Sequence, residues 1–108
     1  MTVNELAEKA GLKPVLVPDG DREVCGAYCG DLLSWVMGRA QSDNVWITIM
    51  SNLNVIAVAS LSDVSCVLLA EGVELSEDAK KAAEEKDINI LVSEKSTYEL
   101  AVLLGSLI

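Results

Sequence analysis

A chain of 108 residues has room for one domain and little more. Its hydrophobic content of 51% supports a buried core, but with 4% aromatic residues and no Phe that core must be aliphatic. Eight basic against 17 acidic residues give a net charge of -9, which argues against phosphate-contacting DNA or RNA binding and against docking on an anionic membrane surface.

In chain order, Thr2 and Glu5 have the spacing of a capping box, and Val3, Leu6, Ala7 and Ala10 follow as one helical stripe. Gly11 is placed to end that helix in a left-handed conformation. Pro14–Val17 reads as a brief strand, Pro18-Asp19-Gly20-Asp21 as a turn, and Val24–Tyr28 as a second strand. A helix is expected from Leu32 to Arg39, apolar on more than one face and therefore mostly buried or at an interface.

The pattern then becomes regular. Strands are expected at Val45–Ile49, Cys66–Leu69 and Ile88–Val92, alternating with helices at Leu53–Ser62, Ser76–Lys86 and Ser96–Leu107. The β-branched residues of Leu53–Ser62 favour a strand by propensity. Capping by Ser51 or Asn52, and the right-handed crossover that a helix would complete, decide for helix. The charge supports the same picture. Residues 40–70 carry two acids and no base, so they are expected at the heart of the fold, whereas residues 71–108 carry nine acids. Short apolar strands alternating with helices imply a three-layer α/β/α sandwich around a mainly parallel sheet of about five strands.

The residue inventory excludes much chemistry. The chain contains no His, which removes Ser-His-Asp, Cys-His and two-His metal designs. It has neither a P-loop string nor a Gly-x-Gly-x-x-Gly dinucleotide fingerprint. Cys25, Cys29 and Cys66 are one ligand short of a structural zinc site, so buried, inert cysteine is expected. An enzyme or electron-transfer protein using Cys25 and Cys29 is the remotest reading.

Arg22 and Arg39 are the only arginines, and Arg suits planar recognition of carboxylate or phosphate. Asp21 and Arg22 are adjacent, so a mutual ion pair is poor and one of them is expected to contact another loop. Gly26 and Gly30 flank a strand end that leads into a helix, a place where exposed N–H groups can hold an anion, with Asp31 either opposing that charge or capping the helix. Trp35 and Trp46 are expected in the core or at a dimer interface.

The string Asp21-Arg22-Glu23-Val24-Cys25-Gly26-Ala27-Tyr28-Cys29-Gly30-Asp31-Leu32-Leu33-Ser34 resembles the DRTGG domain family. The likeness continues through Asn44–Ile49, Leu53–Ala59 and Val67–Gly72. Asp21 and Arg22 match the name-giving motif directly, Glu23 stands where it has Thr, and Gly26 is a displaced equivalent of its paired glycines. The resemblance implies one DRTGG-like domain over residues 1-108, similar to the amino-terminal domain of HPr kinase/phosphorylase. Such domains accompany CBS domains and phosphotransacetylases as accessory, regulatory modules.

The expected function is a non-catalytic module, cofactor-free, that binds a nucleotide or other small phosphorylated metabolite as a homodimer. The candidate ligand residues are Asp21, Arg22, Gly26, Gly30 and Asp31. The alternative is a protein-interaction or scaffold subunit of a cytosolic enzyme or signalling complex. Met1 leads into a polar, helix-forming stretch without the basic-then-apolar order of a secretory signal, so a cytoplasmic location is expected.

Overall fold

The computed structural model describes residues 1–108. Its elements are α1 (Val3–Ala10), β1 (Lys13–Leu16), β2 (Ala27–Cys29), α2 (Leu33–Arg39), β3 (Val45–Thr48), α3 (Leu53–Ser62), β4 (Cys66–Leu69), α4 (Glu77–Glu85), β5 (Ile90–Val92) and α5 (Thr97–Gly105). The five strands form one sheet in the order β1-β5-β4-β3-β2. β2, β3, β4 and β5 run parallel, and β1 returns antiparallel along β5, with Lys13 opposite Val92.

The middle third, with only two charged residues, supplies the two inner strands, β3 and β4, which are buried along their whole length. Alternation divides their side chains between two cores. Val45, Ile47, Cys66, Leu68 and Leu91 face α1 and α5, where Leu6, Leu100 and Leu104 meet them. Trp46, Val67, Leu69 and Ile90 face the other way, against Val36 of α2, Val55, Ile56 and Ala59 of α3, and Ala79 and Ala83 of α4. Each fully buried Leu or Ile contributes about 1.5–3 kcal/mol relative to exposure. One layer is therefore aliphatic apart from Cys66, and the other has Trp46 as its single fully buried aromatic.

The strand order advances monotonically from β2 to β5, so the right-handed crossovers place α2, α3 and α4 on one face. The other face is covered by α1 and α5 alone. Both covering helices carry complete capping boxes, Thr2 with Glu5 and Ser96 with Glu99. α3 is a helix, as its cap indicates: the Asn52 side chain accepts from the Asn54 N–H at 2.9 Å.

Three local expectations are corrected. The second strand is shorter than Val24–Tyr28, because Gly26 takes φ +68° and breaks the extended run. Val24 instead turns into the core below α1, its N–H bonded to the Met1 carbonyl. Helix α2 is not mostly buried. Val36 is its one buried residue, while Trp35 is 52% exposed with the Arg39 guanidinium 3.7 Å above its ring. Finally, Cys25, in the segment before β2, and Cys29, on the edge strand β2, are exposed, and only Cys66 is buried.

Candidate functional site

The five residues singled out in the sequence fall into two groups at opposite ends of β2. Asp21, Arg22 and Gly26 precede the strand, and Gly30 and Asp31 follow it. They do not converge on one pocket.

In the first group Arg22 reaches across to the turns before β3 and β4. Its Nε and Nη2 donate to Asp43 Oδ1 at 3.1 and 2.9 Å, and Nη2 also donates to the Asp63 carbonyl at 2.7 Å and Asp63 Oδ1 at 2.8 Å. Asp43 and Asp63 both sit at positive φ, 67° and 56°, so one guanidinium fixes two left-handed corners. Ser42 Oγ adds a 2.6 Å bond to Asp63, and these hydrogen bonds, Ser42 first and then Arg22, hold the Asp63 carboxyl below the usual aspartate range. Asp21 is exposed and Arg22 therefore pairs with distant loops rather than with its neighbour, as the adjacency argument requires. The Gly26 carbonyl accepts from the Val45 N–H and begins the β2–β3 ladder.

The second group is equally engaged. The Gly30 carbonyl accepts from Trp46 Nε1 at 2.9 Å. Asp31 does not cap α2; its Oδ1 accepts from Thr48 Oγ1 at 2.7 Å and from the Ile49 N–H at 3.0 Å, pinning the end of β3 to the loop after β2. Asp31 also acts on a neighbour: burial first, and then its charge, raise the Cys29 thiol pKa above the ordinary value. The Cys66 thiol, enclosed among aliphatic groups, is pushed up to about 12. No group of three or more His, Cys, Asp or Glu side chains is placed to hold a metal ion.

The main cavity lies elsewhere. It is an open groove of about 950 Å³ at the edge where β4 and β5 end and the antiparallel β1 begins. Its floor is tied by Glu71 N–H to the Lys95 carbonyl at 2.9 Å and Gly72 N–H to the Ser93 carbonyl at 3.0 Å. Lys13 enters from β1, Lys80 from the first turn of α4 and Lys95 from the loop after β5, with Glu74, Glu77 and Glu94 between them. Three of the chain's eight basic residues thus meet at one groove of a molecule with net charge -9. Lys80 has an ion-pair partner in Glu77 at 3.6 Å, whereas Lys13 and Lys95 have none.

The position is the usual one for ligands in α/β folds, outside the carboxyl ends of parallel strands. The sequence held no local signal for it. Lys13, Lys80 and Lys95 meet only because β1 folds back along β5.

Comparison with known proteins gives the lineage. The DRTGG domain model matches residues 29–107, nearly three-quarters of the sequence. The chain belongs to the DRTGG domain family. The matched segment starts at Cys29, so Asp21-Arg22-Glu23 lies before it, and the family assignment rests on the β2-to-α5 body of the domain. Among solved structures, this DRTGG domain is similar to the CBS and DRTGG domains of the regulatory region of Clostridium perfringens pyrophosphatase, complexed with the activator diadenosine tetraphosphate. The TM-score is 0.73 at 10% identity, covering 95% of this chain and 45% of that one. The chain therefore spans less than half of that neighbour, and the likeness is one of fold. No curated protein matches the chain. No helix is long and apolar enough to cross a membrane.

Proposed function

We propose that this DRTGG domain is a non-catalytic regulatory module that binds a nucleotide or other small phosphorylated metabolite, works as a homodimer and resides in the cytoplasm. The observation that carries the ligand reading is the groove of about 950 Å³ beside β5, with Lys13, Lys80 and Lys95 around it. Its volume suits a nucleotide-sized ligand, its place in the sheet is where α/β folds bind small molecules, and Lys13 and Lys95, which make no ion pair, are the groups that would meet a phosphate among the lining Glu74, Glu77 and Glu94. The groove side chains offer Lys, Glu and Ser but no His or Cys. The neighbour with this fold belongs to a regulatory region and was solved with a nucleotide activator, which agrees with this reading.

The test is a thermal-shift and calorimetric series with ATP, AMP, diadenosine tetraphosphate and acetyl phosphate. A ligand at a hundred times its Kd adds about 2.7 kcal/mol of stability, which is roughly 10 °C or more in a domain of this size. At least one phosphorylated compound should produce such a shift, and Lys13→Glu together with Lys95→Glu should abolish it. No shift with any of them, in a protein that remains folded, turns the assignment towards a protein-interaction subunit.

A further inference from the structure

The groove beside β5 lies where two helices part. α4 leaves β4 for the face that holds Trp46, and α5 leaves the neighbouring β5 for the face that holds Ile47. Adjacent parallel strands whose helices diverge in this way open a crevice at their carboxyl ends, and the groove occupies it.

Its lining sets three lysines, Lys13, Lys80 and Lys95, against three glutamates, Glu74, Glu77 and Glu94, so the groove is neutral as a whole. Lys80 is answered by Glu77 at 3.6 Å. That leaves Lys13 and Lys95 as cations without an ion-pair partner, and Glu74 and Glu94 as carboxylates without one. Glu94 leans from the β5 loop onto the β4 loop, its Cγ 3.8 Å from where a Cβ on Gly72 would stand. Two further exposed carboxylates adjoin the lining in the chain, Glu71 before Gly72 and Asp78 after Glu77. Neither arginine lines the groove, and no aromatic side chain does. Lysine acts as a point charge rather than a planar fork, so the number of free lysines limits how much phosphate charge can be met.

We propose that the groove selects a phosphomonoester and turns away di- and triphosphates that arrive without a divalent cation. The proposal rests on the ligand-binding reading above and narrows its ligand class. A phosphomonoester carries about -1.5 to -2 charge at pH 7, which two lysines match. A second or third phosphoryl group finds no further free lysine. It lies instead among Glu74, Glu94, Glu71 and Asp78, in a molecule whose net charge is already -9. A divalent cation chelated by the phosphates removes most of that excess and gives the free carboxylates a partner.

Isothermal titration calorimetry of the full chain, in low salt with EDTA, tests this with AMP, ADP and ATP. The series varies phosphate charge while base and ribose stay fixed. Inorganic phosphate and tripolyphosphate repeat the comparison without a nucleoside. AMP should bind at least about tenfold more tightly than ATP, and phosphate more tightly than tripolyphosphate, at an ionic strength low enough to leave these charges unscreened. Replacing EDTA by magnesium should narrow the gap between AMP and ATP. Glu74→Gln combined with Glu94→Gln changes two exposed side chains without altering their size, and should bring metal-free ATP to within about threefold of AMP. ATP or tripolyphosphate bound as tightly as the monophosphate in EDTA, or a gap that the double Gln variant leaves unchanged, overturns the selectivity and leaves a phosphate site standing. Binding of none of the five compounds, by a protein that remains folded, overturns the selectivity and the ligand reading together.

Discussion

Replacing Arg22 by Met removes the one side chain that joins the turn before β2 to the turns before β3 and β4. Four hydrogen bonds are lost, two to Asp43 and two to Asp63, at 2.7 to 3.1 Å. The Arg22 side chain is 24% exposed and its partners are 43% and 62% exposed. That places each ion pair between the ~0.2–1 kcal/mol of an open surface pair and the ~1.5–3 kcal/mol of a desolvated charged hydrogen bond. Without the guanidinium, the Asp43 and Asp63 carboxylates also face each other with nothing between them. The loss should be about 2 kcal/mol, which lowers Tm by roughly 10 °C in a domain of this size. Urea unfolding followed by the fluorescence of buried Trp46 measures it, with m unchanged. Arg22→Lys should recover less than half, because an ammonium cannot bond both corners at once. If Arg22→Met unfolds within about 0.5 kcal/mol of wild type, the guanidinium is an ordinary surface charge and the clamp reading is wrong.

Other outcomes follow from the same geometry. Asn89 is buried and bonds the Asp19 N–H, the Asp19 carbonyl and the Ser65 carbonyl, so Asn89→Leu should cost about 3 kcal/mol by leaving these groups unpaired, read as a fall in the urea midpoint. Asp63 titrates below the ordinary aspartate value of 3.8 when folded, so its stabilisation is present above that pH and is lost as the pH falls through the lower, folded value. The Tm gap between wild type and Asp63→Asn should therefore be open at pH 7 and close towards pH 2; a gap that widens on acidification contradicts the assignment. Thiol titration of the native protein should detect two cysteines, Cys29 reacting more slowly than Cys25, with Cys66 appearing only on unfolding. Iodide should quench Trp35 in a Trp46→Phe variant and leave Trp46 untouched in a Trp35→Phe variant.

The elements were legible where local chemistry states them. Thr2 with Glu5 and Ser96 with Glu99 mark helix starts by side chains that close on their own backbone, and the structure shows both boxes complete. The alternation of β3, α3, β4, α4 and β5 needs only hydrophobic runs and caps, so the three-layer fold follows. What local patterns cannot state is which strand lies beside which. Nothing in Lys13-Pro14-Val15-Leu16 says that it returns antiparallel to β5, and the lysine groove exists only through that return. The exposure of Cys29 was hidden for the same reason, since a short apolar strand reads alike at the centre and at the edge of a sheet, and Cys25 falls outside β2 because Gly26 breaks the extended run. Arg22 was singled out as an arginine with a neighbouring acid. Its true partners are remote, and chain adjacency carries no information about them.

The winding of the sheet also sets an order in time. The crossover face closes through contacts between successive elements, each strand packing on the helix that follows it. The opposite face holds Ile47, Leu68 and Leu91 beneath helices drawn from the two ends of the sequence, and α5 reaches back to lie over β2 and β3. Contacts between near neighbours in the chain form quickly, and those that close long loops form slowly. The core between the sheet and α1 is complete only when α5, which follows β5 in the chain, is in place over Ile47 and Leu68. Helix α5 is therefore the latch of that half of the core.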